Sequence, residues 1–429
     1  MKIIKVSLLL LLSLFLSSSS CDKKVPELED KKDKNVDTTM KELPKPLKIE
    51  LQGVDTSMVK SDQIFAFEFL AKLFNEEFNK EDKNFMVSPF SLSMALAMTW
   101  NGSDGNTKLA IQNTLGMDDW LDDEVNSYFS KMKNAFEKTD PSTKLSIANS
   151  IWTNRNVTIL PNFISVNKTY YNATVEAVDF ASPATVGRIN RWAADNTNNL
   201  IERVIEETKP SDLMYLLNAL YFKGVWVSEF DAMNTSKMDF TTDSVTHSKV
   251  DMMHQEANFN YVHDETMQLV DLPYGNKAFS MMVLLPKENK SLIDITQVLQ
   301  EKDYWNNLKD GLMDRKVDLY LPKFKTEYSK QLNDVLIDMG MGIAFDPGSA
   351  DFSRMSNRSA FISMVNQDTY IATDEVGTEA AAVTSVGVSL TSARPMPQKV
   401  IFKADRPFIY LIQENSTGSI LFMGVVKRF

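Results

Sequence analysis

The sequence predicts an α+β fold, with helices concentrated early and strands late. Two groups of segments predict it. Helix-spaced apolar stripes occupy residues 64–74, 91–100 and 187–205. Short apolar runs at Gln268–Leu272, Phe279–Leu285 and Val317–Leu321 are each closed by a proline, Pro273, Pro286 or Pro322. That order suits segregated helices and sheets better than alternating βαβ units. A chain of 429 residues that is 43% hydrophobic can bury a large core.

In chain order, residues 1–20 read as an export signal. Lys2 and Lys5 precede the apolar stretch Val6–Leu16, and Ser17–Ser20 supply small residues before Cys21. The apolar core falls short of the roughly 20 residues that span a bilayer. Cys21 is the single cysteine, so no internal disulfide can form. Its place directly after the small residues resembles a bacterial lipoprotein signal, which implies acylation of Cys21. Residues 21–55 then read as a tether, because mixed charges and Pro26, Pro44 and Pro46 leave little apolar surface to bury. About 30 such residues reach roughly 30 Å as a coil. The folded domain is expected over 56–429.

Within that domain, Ile64, Phe65, Phe67, Phe69, Leu70, Leu73 and Phe74 predict a helix capped by Ser61 or Asp62. Ser91–Trp100 is apolar all round and reads as a buried helix. Ile147–Trp152 and Leu213–Trp226 read as buried strands. Gly187–Ile205 is amphipathic, with Ile189, Trp192, Ala193, Leu200 and Val204 in one stripe.

Composition excludes several functions. The net charge of -11 disfavours nucleic acid as a partner, which rewards a basic face. The three histidines, His247, His254 and His263, lack metal-ligand spacing on a helix. No nucleophile elbow or phosphate-cradling glycine loop occurs. Neither an enzyme, nor a metal, nor a cofactor is expected.

The most informative segment lies near the C-terminus. From Val376 to Ser392, even positions (Thr378, Ala380, Ala382, Thr384, Val386, Val388, Leu390) are apolar or small, and odd positions suit water better. Alternation fits a strand with one buried face, and no proline interrupts it before Pro395. Two glycines and a run of alanines are nonetheless poor strand formers. Such a segment can live as a loop and still join a sheet that opens for it.

Glu375-Val376-Gly377-Thr378-Glu379-Ala380-Ala381-Ala382 resembles the hinge of the reactive loop in serpins. Downstream, Phe402–Phe408 and Ile420–Gly424 resemble that family's C-terminal signature. Upstream, Asn84–Ser91 and Asn101–Thr107 resemble its early helix motif, and Asn218–Gly224 with Trp226 its central strand. The matches keep family order from about residue 60 to Phe429. The resemblance implies three β-sheets, about eight or nine helices and an exposed reactive-centre loop over about 375–399.

It also implies a serine-protease inhibitor acting as a suicide substrate, with cysteine proteases as a second target class, and a monomer. Family spacing places the scissile bond at Thr391–Ser392. Leu390–Thr391 and a cut after Arg394 are alternatives, the last disfavoured by Pro395. Thr391 behind Val388 and Leu390 suits elastase- or subtilisin-like targets. Glu375 and Trp226 match the positions where insertion starts. Ser88, Ser91 and Asn218 match the polar cluster beneath the opening sheet, where Gln367 replaces the family's usual histidine. Gly377 is expected to supply backbone freedom, Thr378, Ala380 and Ala382 to slip between strands, and Glu379 to face outward. Where some serpins carry a basic helix for acidic polysaccharides, this chain has Asp118, Asp119, Asp122, Asp123 and Glu124; a solvated helix start is expected, and no heparin-type cofactor. At the positions expected to slip between strands, Thr378, Ala380 and Ala382, the hinge lacks the bulky, charged or proline residues of many non-inhibitory members, whose carrier role is the alternative. An exported protein is expected, lipid-anchored to a bacterial membrane or cell surface, or otherwise secreted.

Overall fold

Helix α1 (Val54–Lys80) begins well ahead of its apolar stripe. Phe65, Phe67, Phe69, Leu70, Leu73 and Phe74 are buried as the spacing predicts, whereas Ile64 faces solvent. Ser61 and Asp62, expected as caps, lie inside the helix. The Ser61 hydroxyl donates to the Gly116 carbonyl at 2.7 Å, and buried Asp62 accepts from the Tyr128 hydroxyl at 2.6 Å. In this computed structural model the described residues are 43–80, 83–242, 247–378 and 399–429. Residues 43–429 form one unit, in which Ile49 is buried and its amide donates to Ser416. Cys21 lies outside the described residues.

Helix α2 (Pro89–Trp100) is buried along its whole length. Ser88 caps it by accepting the Ser91 amide, and Pro89 occupies a first-turn position where no amide hydrogen is missed. Helices α3 (Gly105–Leu115), α4 (Asp122–Thr139), α5 (Pro161–Tyr171) and α6 (Pro183–Asn196) follow. The acidic run does start a helix. Asp122, Asp123 and Glu124 form the first turn of α4, where the helix dipole favours them, and Glu124 accepts the Leu121 amide. Asp122 is less solvated than expected, since it also accepts from Trp100, Lys108 and Arg354.

The amphipathic stripe of 187–205 is only partly helical. Helix α6 stops at Asn196, and Asn198 and Asn199 take left-handed φ of 53° and 60°. The apolar face nevertheless continues, because Ile201, Val204 and Ile205 join Ile189 and Ala193 in one cluster with Trp152, Tyr215 and Leu217.

The strands are β1 (Phe85–Val87), β2 (Lys144–Asn154), β3 (Thr174–Val178), β4 (Met214–Val225), β5 (Ser236–Thr241), β6 (His247–His263), β7 (Met267–Pro273), β8 (Phe279–Pro286), β9 (Met313–Pro322), β10 (Phe324–Gln331), β11 (Met364–Thr373), β12 (Gly377–Thr378), β13 (Val400–Lys403), β14 (Phe408–Glu414) and β15 (Ile420–Val426). Among the described residues they form a six-stranded sheet, β10-β11-β12-β4-β2-β3, and a nine-stranded one, β1-β15-β14-β8-β7-β6-β9-β13 with β5 on β6. Two of the three expected sheets run together through β6. Its first part pairs with β5, its middle with β9 and its last four residues with β7. The main core lies between the sheets and α1, α2 and α4; the smaller one lies between α6 and the outer face of the six-stranded sheet.

Candidate functional site

The six-stranded sheet contains two parallel pairings, β2 with β3 at one edge and, inside the sheet, a seam between β11 and β4. Met364–Tyr370 of β11 pair with Tyr215–Tyr221 of β4 in parallel register. Toward the end of this seam the chain turns back at Asp374, whose Oδ1 accepts the amides of Val376 and Gly377 at 3.0 and 3.2 Å. The returning pair Gly377–Thr378, β12, enters between the two strands. Thr378 lies opposite Thr373 on one side and Gly224 on the other.

Gly377 is needed here for close approach. A Cβ would run into the Gly224 carbonyl oxygen and the Val225 Cα, and its φ lies outside the left-handed range. The expected backbone freedom is therefore not what this conformation uses. Thr378 is fully buried, 2.7 Å from the Tyr274 hydroxyl and 3.5 Å from Thr373 Oγ1. Trp226 stacks on Tyr274 with centroids 4.4 Å apart. Its amide donates to the Val376 carbonyl and its indole Nε1 to the Asp374 carbonyl, at 2.8 and 2.9 Å. Glu375 accepts from Lys323 and from the Thr235 hydroxyl, each at 2.8 Å. Burial opposes the charge of Glu375, but Lys323 and Thr235 outweigh it and hold the carboxyl below its usual range. Tyr274, Lys323 and Thr235 were not legible as site residues, because each comes from a distant element and carries no motif.

On the inner face of the seam lies the second group. The Gln367 carbonyl oxygen accepts the Ser88 amide at 2.7 Å; its NH2 donates to the Ser88 carbonyl at 3.0 Å and to Asn218 Oδ1 at 3.3 Å. The Ser88 hydroxyl donates to the Leu421 carbonyl at 2.6 Å. Ser91 and Asn218 both donate to Asn149 Oδ1, so Asn149 completes a cluster from which sequence reasoning omitted it. All five residues are buried. An amide at 367 satisfies donor and acceptor together, as its chemistry allows. Glu379, Ala380, Ala381, Ala382, Leu390, Thr391, Ser392 and Arg394 lie outside the described residues.

The arrangement is a seam with a strand beginning to enter it, over a neutral polar floor. The Serpin (serine protease inhibitor) family model matches residues 60–428, and the chain belongs to that family. It is 36% identical over 374 residues to the leukocyte elastase inhibitor of Xenopus laevis, covering 84% of this chain and 96% of that protein. Among solved structures, the thermophilic serpin tengpin in its native state matches with TM-score 0.80 and 31% identity, over 90% of this chain and 98% of that one. Human thyroxine-binding globulin complexed with thyroxine matches with TM-score 0.79 and 28% identity, over 88% and 99%.

Proposed function

We propose that this protein inhibits serine-type proteases as a suicide substrate, by taking its own cleaved loop into the seam between β4 and β11. The position of Thr378 carries the reading. It already sits between those strands, and the residues that would follow it inward on the same alternation, Ala380 and Ala382, are small and neutral. In the proposed reaction the protease serine oxygen attacks the Thr391 carbonyl carbon. An ester forms, the amide bond to Ser392 breaks, and the amine leaves with a proton. The freed segment of about 15 residues, at roughly 3.3 Å each, makes a strand near 50 Å long. Its entry carries the tethered protease to the far end of the sheet before the ester hydrolyses. Inhibition requires insertion to outrun hydrolysis, so the native fold is kinetically held.

Val388, Leu390 and Thr391 support elastase- or subtilisin-like targets, in keeping with the Xenopus relative's name. Incubation with such a protease should give a covalent adduct that survives denaturing gels. Sequencing of its junction should find the ester at Thr391, or at the neighbouring Leu390. A junction beyond Arg394 would overturn the assignment of the bond.

A carrier role is the second reading, favoured by the likeness to the thyroxine-bound globulin. It predicts clipping without an adduct. We further infer export with a lipid on Cys21, supported by Lys2, Lys5, the apolar stretch and the small residues before Cys21. Loss of membrane association in Cys21→Ser would bear this out; unchanged association would contradict it.

A further inference from the structure

The outer face of β11 differs chemically from the inner one. Asn366 and Asp368 point outward on alternate positions, beneath the segment that follows α6. Asp368 is 2% exposed. The Asn366 side-chain NH2 donates to Asp368 Oδ2 at 2.6 Å and lies 3.3 Å from the Val204 carbonyl. One amide therefore ties the strand, the acid and the covering segment together. Ser329 of β10 pairs opposite Asp368 and hydrogen-bonds the same carboxyl. On the other side Asp368 pairs with Ala219 of β4, so it stands at the lip of the seam.

The charged groups on the covering elements turn to solvent. Arg188, Arg191 and Asp195 of α6 are exposed, as are Arg203, Glu206, Glu207 and Lys209 after it and Lys325 and Glu327 of β10. Arg188 pairs with Glu176, Arg203 with Glu206, and Lys325 with Glu327. Asp212, half-buried, accepts from the Tyr215 hydroxyl. Among the described residues no cation neutralises Asp368. Burial pushes its carboxyl up to about 7, with Ser329 and Asn366 pulling it partly back.

We propose that Asp368 is a proton-operated latch on the seam: neutral, it keeps the outer face dry and shut, and ionised, it favours the parting of β11 from β4. The inference rests on the insertion reading above. An ionised carboxylate needs water that the closed site denies and the open site supplies. Because the closed-state value lies above the ordinary one, the closed form is favoured fully below about pH 4. That advantage falls as pH rises toward about 7 and is constant above. Insertion should therefore quicken through this window and level off beyond it.

The test mixes the full chain with a synthetic peptide spanning residues 378–390 and follows its uptake between pH 5 and 8. Wild type should take up peptide about tenfold faster or more at pH 8 than at pH 5, a one-unit effect at minimum. Asp368→Asn should stay at the slow rate throughout. The peptide's own Glu379 is common to both and cancels. Ser329→Ala removes a bond that favours the charged form, so its midpoint should move upward. Asp62, the other acid pushed up to about 7, packs against Tyr128 and Ser93; Asp62→Asn should keep the wild-type profile. An Asp368→Asn profile like wild type, or a profile lost in Asp62→Asn, overturns the latch alone. No uptake by any of these proteins at any pH overturns the insertion reading and the latch with it.

Discussion

The two faces of β11 carry the same kinds of side chain and behave differently. Inward, Gln367 and Thr369 meet Ser88, Asn218 and the Met86 carbonyl through neutral donors and acceptors. Outward, Asn366 and Ser329 serve an acid, Asp368, in a site without a cation. Both faces are dry. The inner one carries no ionisable side chain among these residues, whereas the outer one buries an acid whose charge is disfavoured by burial and only partly restored by its two hydrogen bonds. Under the proposed insertion, β11 would be held against β4 by pH-independent bonds beneath and a pH-dependent site above.

The largest expected effect comes from breaking the inner face. Thr378→Arg places a charge beside Tyr274 and Thr373, at a cost of several kcal/mol when unpaired. The protein should become a substrate, giving clipped product and no adduct on denaturing gels; a persistent adduct would contradict the hinge geometry. Next, Gln367→Leu strands the Ser88 amide and carbonyl and Asn218 Oδ1. A loss of about 2–4 kcal/mol is expected in urea unfolding, with no change in its pH dependence.

The outer face predicts a smaller effect of opposite character. Asp368→Asn should leave stability near pH 4 unchanged and remove part of the decline between about pH 4 and 7, worth roughly 1–3 kcal/mol. The sign follows from the raised carboxyl, which retains its proton in the native state while the unfolded chain has lost it. Glu375 behaves conversely. Held below its usual range, it stabilises the native state above its ordinary titration and loses that contribution on acidification. Smallest is Lys323→Met, which breaks a partly exposed pair and should cost about 1 kcal/mol or less by the same measurement.

Much of the inner face was legible in the chain. Ser88, Ser91, Asn218 and Gln367 are brought together as the family resemblance implies; β2 runs a few residues past the apolar run that predicted it, and β4 stops one residue inside its run at each end. Asn149 was missed because an asparagine within an apolar run carries no sign of what it meets. The outer face was not legible. An aspartate one place from Gln367 reads as a solvent-side strand residue, yet Asp368 is buried beside Asn366, which meets the Val204 carbonyl of the segment beyond α6. That segment misled in turn. Its apolar stripe is continuous, yet two asparagines with left-handed backbone end the helix while the stripe keeps facing the sheet. At α1, Ser61 looked like a cap because its bond to Gly116 comes from a remote turn.

Controlled cleavage of the loop, followed by thermal melting, tests the central claim most directly. If the seam between β4 and β11 accepts the severed segment, the cut protein should melt far above the intact one. Equal melting temperatures before and after cleavage would contradict it.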